Sequence, residues 1–270
     1  MRAILSFYTL KLPIYYIYML QQVEYDPAKF DKWTSTLIKQ GKPIQSVMYR
    51  KTLVYTAKAK LLLCASVFLI LAISIVCVML IIGSDSLSLQ IFFAMSWLFV
   101  LPNCLYMFLL ILTWVAHRLV IRPKQRQLVH EATKIFANHK GIKIAVLGSY
   151  GKTTMKELLA TVLSEGKSVA VTPGNMNVSV SHARFARKLS GKEDVVIVEF
   201  GEGEPGDIAR MASMLKPDYA IITGLAPNHL DHYPNIAAVA EDFMKIYDYI
   251  STENVFVTAE SRMLQQYLPD

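Results

Sequence analysis

Gly148-Ser149-Tyr150-Gly151-Lys152-Thr153-Thr154 follows a short apolar run, Ile144 to Leu147, and leads into an amphipathic stretch. A strand that empties through glycines into a helix N-terminus aims several backbone N–H groups at one point, where the helix dipole favours an anion. Lys152 adds a positive charge there and Thr153 a hydroxyl able to ligate a metal. The stretch therefore reads as a phosphate-binding loop, with a nucleotide triphosphate and magnesium as its natural guests. The longer form of this pattern asks for glycine at position 146, where Val146 stands, so only the shorter form is met. After it, Met155, Leu158, Leu159, Val162 and Leu163 recur at helical spacing and Gly166 supplies a stop, which predicts a helix over 153–164.

Outward from the loop, the chain alternates. Strands are predicted over 144–147, 168–172, 195–200, 219–223 and 255–258. Helices are predicted over 126–138, 181–189, 207–215 and 236–250. Apolar strands alternating with helices imply an α/β fold, a mostly parallel sheet covered on both faces. Ligands of such sheets bind beyond the carboxyl ends of the strands. Besides the loop, three polar groups fall at that rim: Asn175 in Thr172-Pro-Gly-Asn-Met-Asn177, Glu199 closing Val195 to Val198, and His229 beyond Ile221-Ile222-Thr223. A carboxylate and an imidazole beside a triphosphate loop suit magnesium or a water in its shell, so Thr153, Glu199 and His229 are the candidate metal ligands.

The first half is different material. Leu61 to Ile82 is an uncharged run of 22 residues and Ile91 to Ala116 one of 26, each long enough to cross a bilayer. Arg50, Lys51, Lys58 and Lys60 precede the pair, and Arg118, Arg122, Lys124 and Arg126 follow it, whereas the link carries only Asp85. By the positive-inside bias both flanks are cytoplasmic. The expectation is a multi-pass protein of the inner membrane with its α/β part in the cytoplasm. The net charge of +7 is then explained by lipid headgroups as partners, not by nucleic acid. Cys64, Cys77 and Cys104 lie within the apolar runs without paired or metal-binding spacing, so no disulfide framework is implied. The expected layout is a cytoplasmic interfacial helical segment over 1–60, two transmembrane helices within 61–121 (61–82 and 91–116), a basic linker over 122–141, and the α/β domain over 142–270.

Taken together, Gly148 to Thr154 with Lys156-Glu157, Thr172 to Asn177, Glu199-Phe-Gly201 with Gly206-Asp-Ile208, and Ile222-Thr-Gly-Leu with His229-Leu-Asp231 resemble the Mur ligases, ATP-dependent amide-forming enzymes of peptidoglycan assembly. The resemblance covers about residues 142 to 260. It implies that the sheet is an incomplete Mur ligase central domain, and that a substrate carboxylate takes the γ-phosphoryl group of ATP before an amine displaces it. The substrates implied are a peptidoglycan-precursor-like carboxylate and an amino acid or dipeptide. Lys152, Glu199 and His229 would carry the catalysis, and Gly148, Ser149, Tyr150, Gly151, Lys152, Thr153, Thr154 and Asn175 the nucleotide.

Three departures stand against that pattern. Phe243 and Met244 occupy the positions where members commonly carry a carbamylated lysine; Phe243 falls on an apolar stripe and is expected to pack inward, with Lys245 a poor substitute. The usual UDP-sugar domain is replaced by the apolar hairpin, and the chain stops at Asp270. The sequence therefore reads as the N-terminal part of such a ligase, not expected to turn over alone; either a partner chain supplies the missing domains and presents the substrate, or the substrate is lipid-linked. A poly-γ-glutamate synthase-like ligase and a non-catalytic nucleotide-binding membrane scaffold are the alternatives. A polysaccharide-export kinase is disfavoured by the short 83–90 link.

Overall fold

The computed structural model describes residues 9–48, 53–227 and 232–269. The chain divides into two compact units, Met1–Pro123 and Lys124–Asp270.

The first unit is helical. Helix α1 (Leu12–Gln22) is followed by α2 (Pro27–Lys39), which Asp26 caps by accepting from the N–H groups of Ala28 and Lys29 at 2.8 and 3.1 Å. Then come α3 (Ala57–Ile82) and α4 (Leu87–Ala116). Leu12, Tyr16, Ile17, Met19 and Leu20 of α1 are buried in this unit's core. Tyr16, Phe30 and Tyr106 form an aromatic cluster with ring centroids 5.7–6.0 Å apart. Trp97 Nε1 donates to Ser74 Oγ at 3.1 Å, tying α4 to α3. Pro102 lies inside α4, and Asn103 Nδ2 donates to the Phe99 carbonyl at 3.0 Å, a polar spot beside the missing proline donor. Among the described residues, these two helices are long and apolar enough to cross a membrane by length and composition.

The second unit holds α5 (Arg122–Asn138), β1 (Ile142–Leu147), α6 (Lys152–Leu163), β2 (Val169–Val171), α7 (Ser179–Ala186), β3 (Val195–Glu199), α8 (Asp207–Leu215), β4 (Tyr219–Ile222), α9 (Ile236–Met244), β5 (Val255–Val257) and α10 (Arg262–Gln265). Its five strands form one sheet in the order β2-β3-β1-β4-β5, with every pairing parallel. Alternate residues take opposite faces, as the pleat requires. Ala145, Leu147, Val196, Val198, Ala220 and Ile222 enter one core with Phe136, Ile208, Met211 and Phe243, while Ile144, Val146, Val195 and Ile197 enter the other beneath Met155 and Leu159 of α6. The first core is the larger, and burial at roughly 25 cal/mol per Å² of apolar surface makes it the main source of this unit's stability.

Two details fix the sheet's geometry around β1. His139 takes the Gly141 N–H on Nδ1 at 3.0 Å, which puts its proton on Nε2, facing Glu193 Oε2 at 3.0 Å; the start of β1 is thereby tied to the turn before β3. The register pairs Val146 with Glu199 and Leu147 with Ile222. Glu199 therefore ends its strand one residue short of the loop that leaves β1. The predicted helix over 236–250 is shorter, because the backbone tightens into a 3-10 turn at Lys245–Asp248. A groove of about 460 Å³ lies away from this rim, between Leu158 and Val162 of α6 and Tyr219 and Phe256 of the β4–β5 side.

Candidate functional site

The loop between β1 and α6 has the backbone of an anion cradle. Gly148 sits at φ +135° and Gly151 at φ +75°, the latter as the N-cap of α6. A side chain at Gly148 is excluded by contact as well as by conformation, since a Cβ there would lie 2.4 Å from Thr223 Oγ1. Thr223 in turn donates to the carbonyls of Leu147, at 3.1 Å, and Tyr150, pinning the loop to the end of β4. Ser149 is buried and its N–H donates to Gly224 O at 2.8 Å, while Tyr150 is half exposed and its ring lies against Gly224. Gly151, Thr153 and Thr154 are exposed at the α6 N-terminus, where the free N–H groups of a first helical turn lie.

Thr153 and Glu199 meet: Thr153 Oγ1 donates to Glu199 Oε2 at 2.9 Å. Glu199 is 1% exposed, so its charge needs compensation, and Lys156 supplies it at 3.2 Å. Lys156 is itself fully buried and also donates to the carbonyls of Thr172, at 2.9 Å, and Gly174. The Thr172 hydroxyl accepts from the Glu199 N–H at 3.1 Å, so one cluster links α6, β3 and the loop after β2. Asn175 is exposed on that loop, next to Gly174, whose carbonyl Lys156 holds. Behind Glu199, His182 is buried, stacks on Phe200 and has Nε2 2.8 Å from the Glu199 carbonyl. Burial pushes its pKa down to about 4 against the raising influence of the Glu199 and Met176 backbones, so the ring is neutral at pH 7.

Lys152 has a partner that the sequence reading did not name. Its Nζ donates to both carboxylate oxygens of Glu202, at 3.1 and 2.8 Å, and to the Gly148 carbonyl. The Glu202 side chain is 2% exposed. Read along the chain, Gly201-Glu-Gly-Glu-Pro205 looks like a solvated turn, and only the fold brings Glu202 to Lys152. Lys156 did leave a signal: it shares a helical face with Leu159, Ala160 and Leu163.

His229 lies outside the described residues. Phe243, at the position where the resemblance implies a bridging lysine, is fully buried in the core, and Lys245 is exposed beside Asp248 at 3.9 Å. Among the described residues no cluster of three His, Cys, Asp or Glu side chains could hold a metal. The donors that are present, a hydroxyl and a carboxylate beside a glycine cradle, are hard oxygens of the kind magnesium takes when phosphates and water complete its shell.

A parallel sheet with a glycine-bounded loop at its central strand, a lysine and threonine opening the next helix and a carboxylate on the neighbouring strand together define a phosphate-loop α/β domain. Residues 146–268 match the Mur ligase middle domain. Over 114 residues the chain is 33% identical to the UDP-N-acetylmuramoyl-tripeptide–D-alanyl-D-alanine ligase of Treponema pallidum, covering 42% of this chain and 25% of that protein. Over 98 residues it is 33% identical to the enzyme of the same name from Escherichia coli K12, covering 36% and 22%. The fold matches the crystal structure of MurF from Acinetobacter baumannii with a TM-score of 0.50 at 22% identity, covering 53% of this chain and 32% of that one. The chain thus spans about a quarter of the length of the curated relatives it matches.

These relatives also correct the placement read from composition. The inner-membrane, multi-pass assignment does not stand. The relatives are named as ligases acting on a UDP-N-acetylmuramoyl-tripeptide. Against that, two helices marked only by length and composition weigh little, since buried helices and signal sequences pass the same test.

Proposed function

We propose that residues 142–270 supply the ATP site of a Mur-type acid–amino acid ligase acting in peptidoglycan precursor synthesis. The Thr153–Glu199 contact at 2.9 Å, made at the mouth of the glycine cradle, is the observation that carries this reading. It brings a hydroxyl from the phosphate loop and a carboxylate from the adjacent strand to one point, as a phosphate-bound magnesium ion requires. The N–H groups at the start of α6 would bind phosphate oxygens, and Lys152 would meet the charge that develops on the transferring phosphoryl group. Thr153 and Glu199 would hold magnesium, whose chemistry here is neutralisation of phosphate charge. The acceptors follow from the relatives' names: a UDP-N-acetylmuramoyl-tripeptide carboxylate and D-alanyl-D-alanine.

Phosphate release from Mg-ATP, measured with these two substrates together and each omitted in turn, tests the reading. Release that needs both supports it. Release that needs glutamate alone would move the assignment to a poly-γ-glutamate synthase-like ligase. Absence of Mg-ATP binding by calorimetry would remove the nucleotide site itself.

A further inference from the structure

The lysines around the cradle are already paired with carboxylates. Two lysines, Lys152 and Lys156, face two buried carboxylates, Glu202 and Glu199, and each lysine is already within 3.2 Å of a carboxylate oxygen. Among the described residues of the cradle, each lysine is therefore already paired before a triphosphate arrives. A nucleotide can gain Lys152 only by taking it from Glu202, which leaves a carboxylate with 2% side-chain exposure facing the phosphates. An uncompensated buried charge of that kind is strongly unfavourable, and its repulsion with phosphate adds to the cost. A divalent cation arriving with the nucleotide removes both penalties.

We propose that Glu202 is a specificity-determining residue of this site, one that makes phosphate binding conditional on a divalent cation by holding Lys152 until a cation replaces it. The proposal rests on the nucleotide-site reading above and extends it. In this scheme Glu202 discriminates between cation-complexed and free nucleotide. It also keeps Lys152 from recruiting free phosphate or other small anions. Lys152 is suited to the exchange because its side chain retains 12% exposure, whereas Lys156 has none.

Calorimetric titration of the full chain with ATP, once with magnesium and once with EDTA, provides the test, using wild type and Glu202→Gln. Wild type is expected to bind Mg-ATP and to bind free ATP at least about a hundredfold more weakly. Glu202→Gln is expected to bind free ATP about tenfold or more tightly than wild type does, which narrows that ratio. Hydrogen exchange of the β3 amides reports whether the variant is folded, and Glu202→Ser, which leaves room for a water, serves where the glutamine variant is not. Equal or weaker free-ATP binding by a folded Glu202 variant overturns the proposal while leaving the nucleotide site intact. A wild type that binds neither form refutes the nucleotide reading instead.

Discussion

Lys156→Met removes one charge and keeps the length of an apolar stem, at a position with no access to water. Four interactions go with the ammonium: the pair with Glu199 at 3.2 Å, the pair with Glu157 at 3.4 Å, the bond to Thr172 O at 2.9 Å and the bond to Gly174 O. Glu199 keeps the Thr153 hydroxyl but loses its cation, and breaking one half of a buried pair costs about 3–5 kcal/mol. The two carbonyls lose charge-assisted donors, each worth roughly 1.5–3 kcal/mol, partly offset by rearrangement of the loop after β2. We expect a loss of about 4 kcal/mol, of which Glu199→Gln in the same chain restores about 2, because the orphaned charge is then gone. The coupling between the two changes is expected to be of that size, as for residues in direct contact. Tryptophan fluorescence will not report it, since Trp33, Trp97 and Trp114 all precede the α/β unit. Native-state hydrogen exchange of the β1 and β3 amides will: 4 kcal/mol corresponds to roughly a thousandfold faster exchange from the globally opened state. A single-variant loss below about 1 kcal/mol, or strictly additive losses in the double variant, would refute the buried-pair account.

The remaining predictions concern the core, the cradle and the acid limb. Phe243→Ala empties a fully buried site and should cost about 3–5 kcal/mol by the same exchange measurement, whereas Lys245→Ala, on the exposed face, should stay within about 0.5. Gly148→Ala meets Thr223 Oγ1 at 2.4 Å and Gly224 N and O at 3.0 Å, so ATP affinity should fall about tenfold or more; Gly151→Ala, with its nearest neighbour at 3.8 Å, should be milder in the same titration. Burial opposes ionisation of Glu193, yet hydrogen bonds from His139 and from Ser190 outweigh it and hold its pKa at about 2. A depressed carboxyl stabilises the fold above its unfolded pKa near 4.5 and loses that stabilisation as pH falls towards 2. Unfolding midpoints followed over that window should therefore drop more steeply for wild type than for Glu193→Gln, and parallel curves would exclude the mechanism.

What the sequence disclosed depended on how local each cause was. The cradle is legible because its requirements sit within seven consecutive residues, and α8 is legible to its ends because Ile208, Met211, Ala212 and Leu215 mark one helical face before Lys216 turns left-handed at φ 49°. The end of α9 was not, because the apolar stripe through Ile246 continues while the backbone tightens, and one turn is too short to separate periods of 3.6 and 3.0. Glu199 could be placed on the rim because it closes a wholly apolar strand. Glu202 could not, because the partner it is buried against, Lys152, lies 50 residues away in the chain. Composition misled most where it spoke most strongly: apolar length in α3 and α4 says what a helix could cross, not what it does cross.

The two lysines of the cradle show why a motif alone underdetermines a site. Lys152 is the residue the pattern names, and Lys156 is the one the fold needs. Their difference is solvent access: with no exposure and acceptors from two chain segments, Lys156 cannot change partner without opening the loop after β2. Lys152, with 12% exposure and Glu202 as its paired carboxylate, can exchange one anion for another at the water boundary. Phosphate recognition in this domain is then a competition between anions for one lysine, and the winner depends on whether a cation is present to take the carboxylate that is displaced.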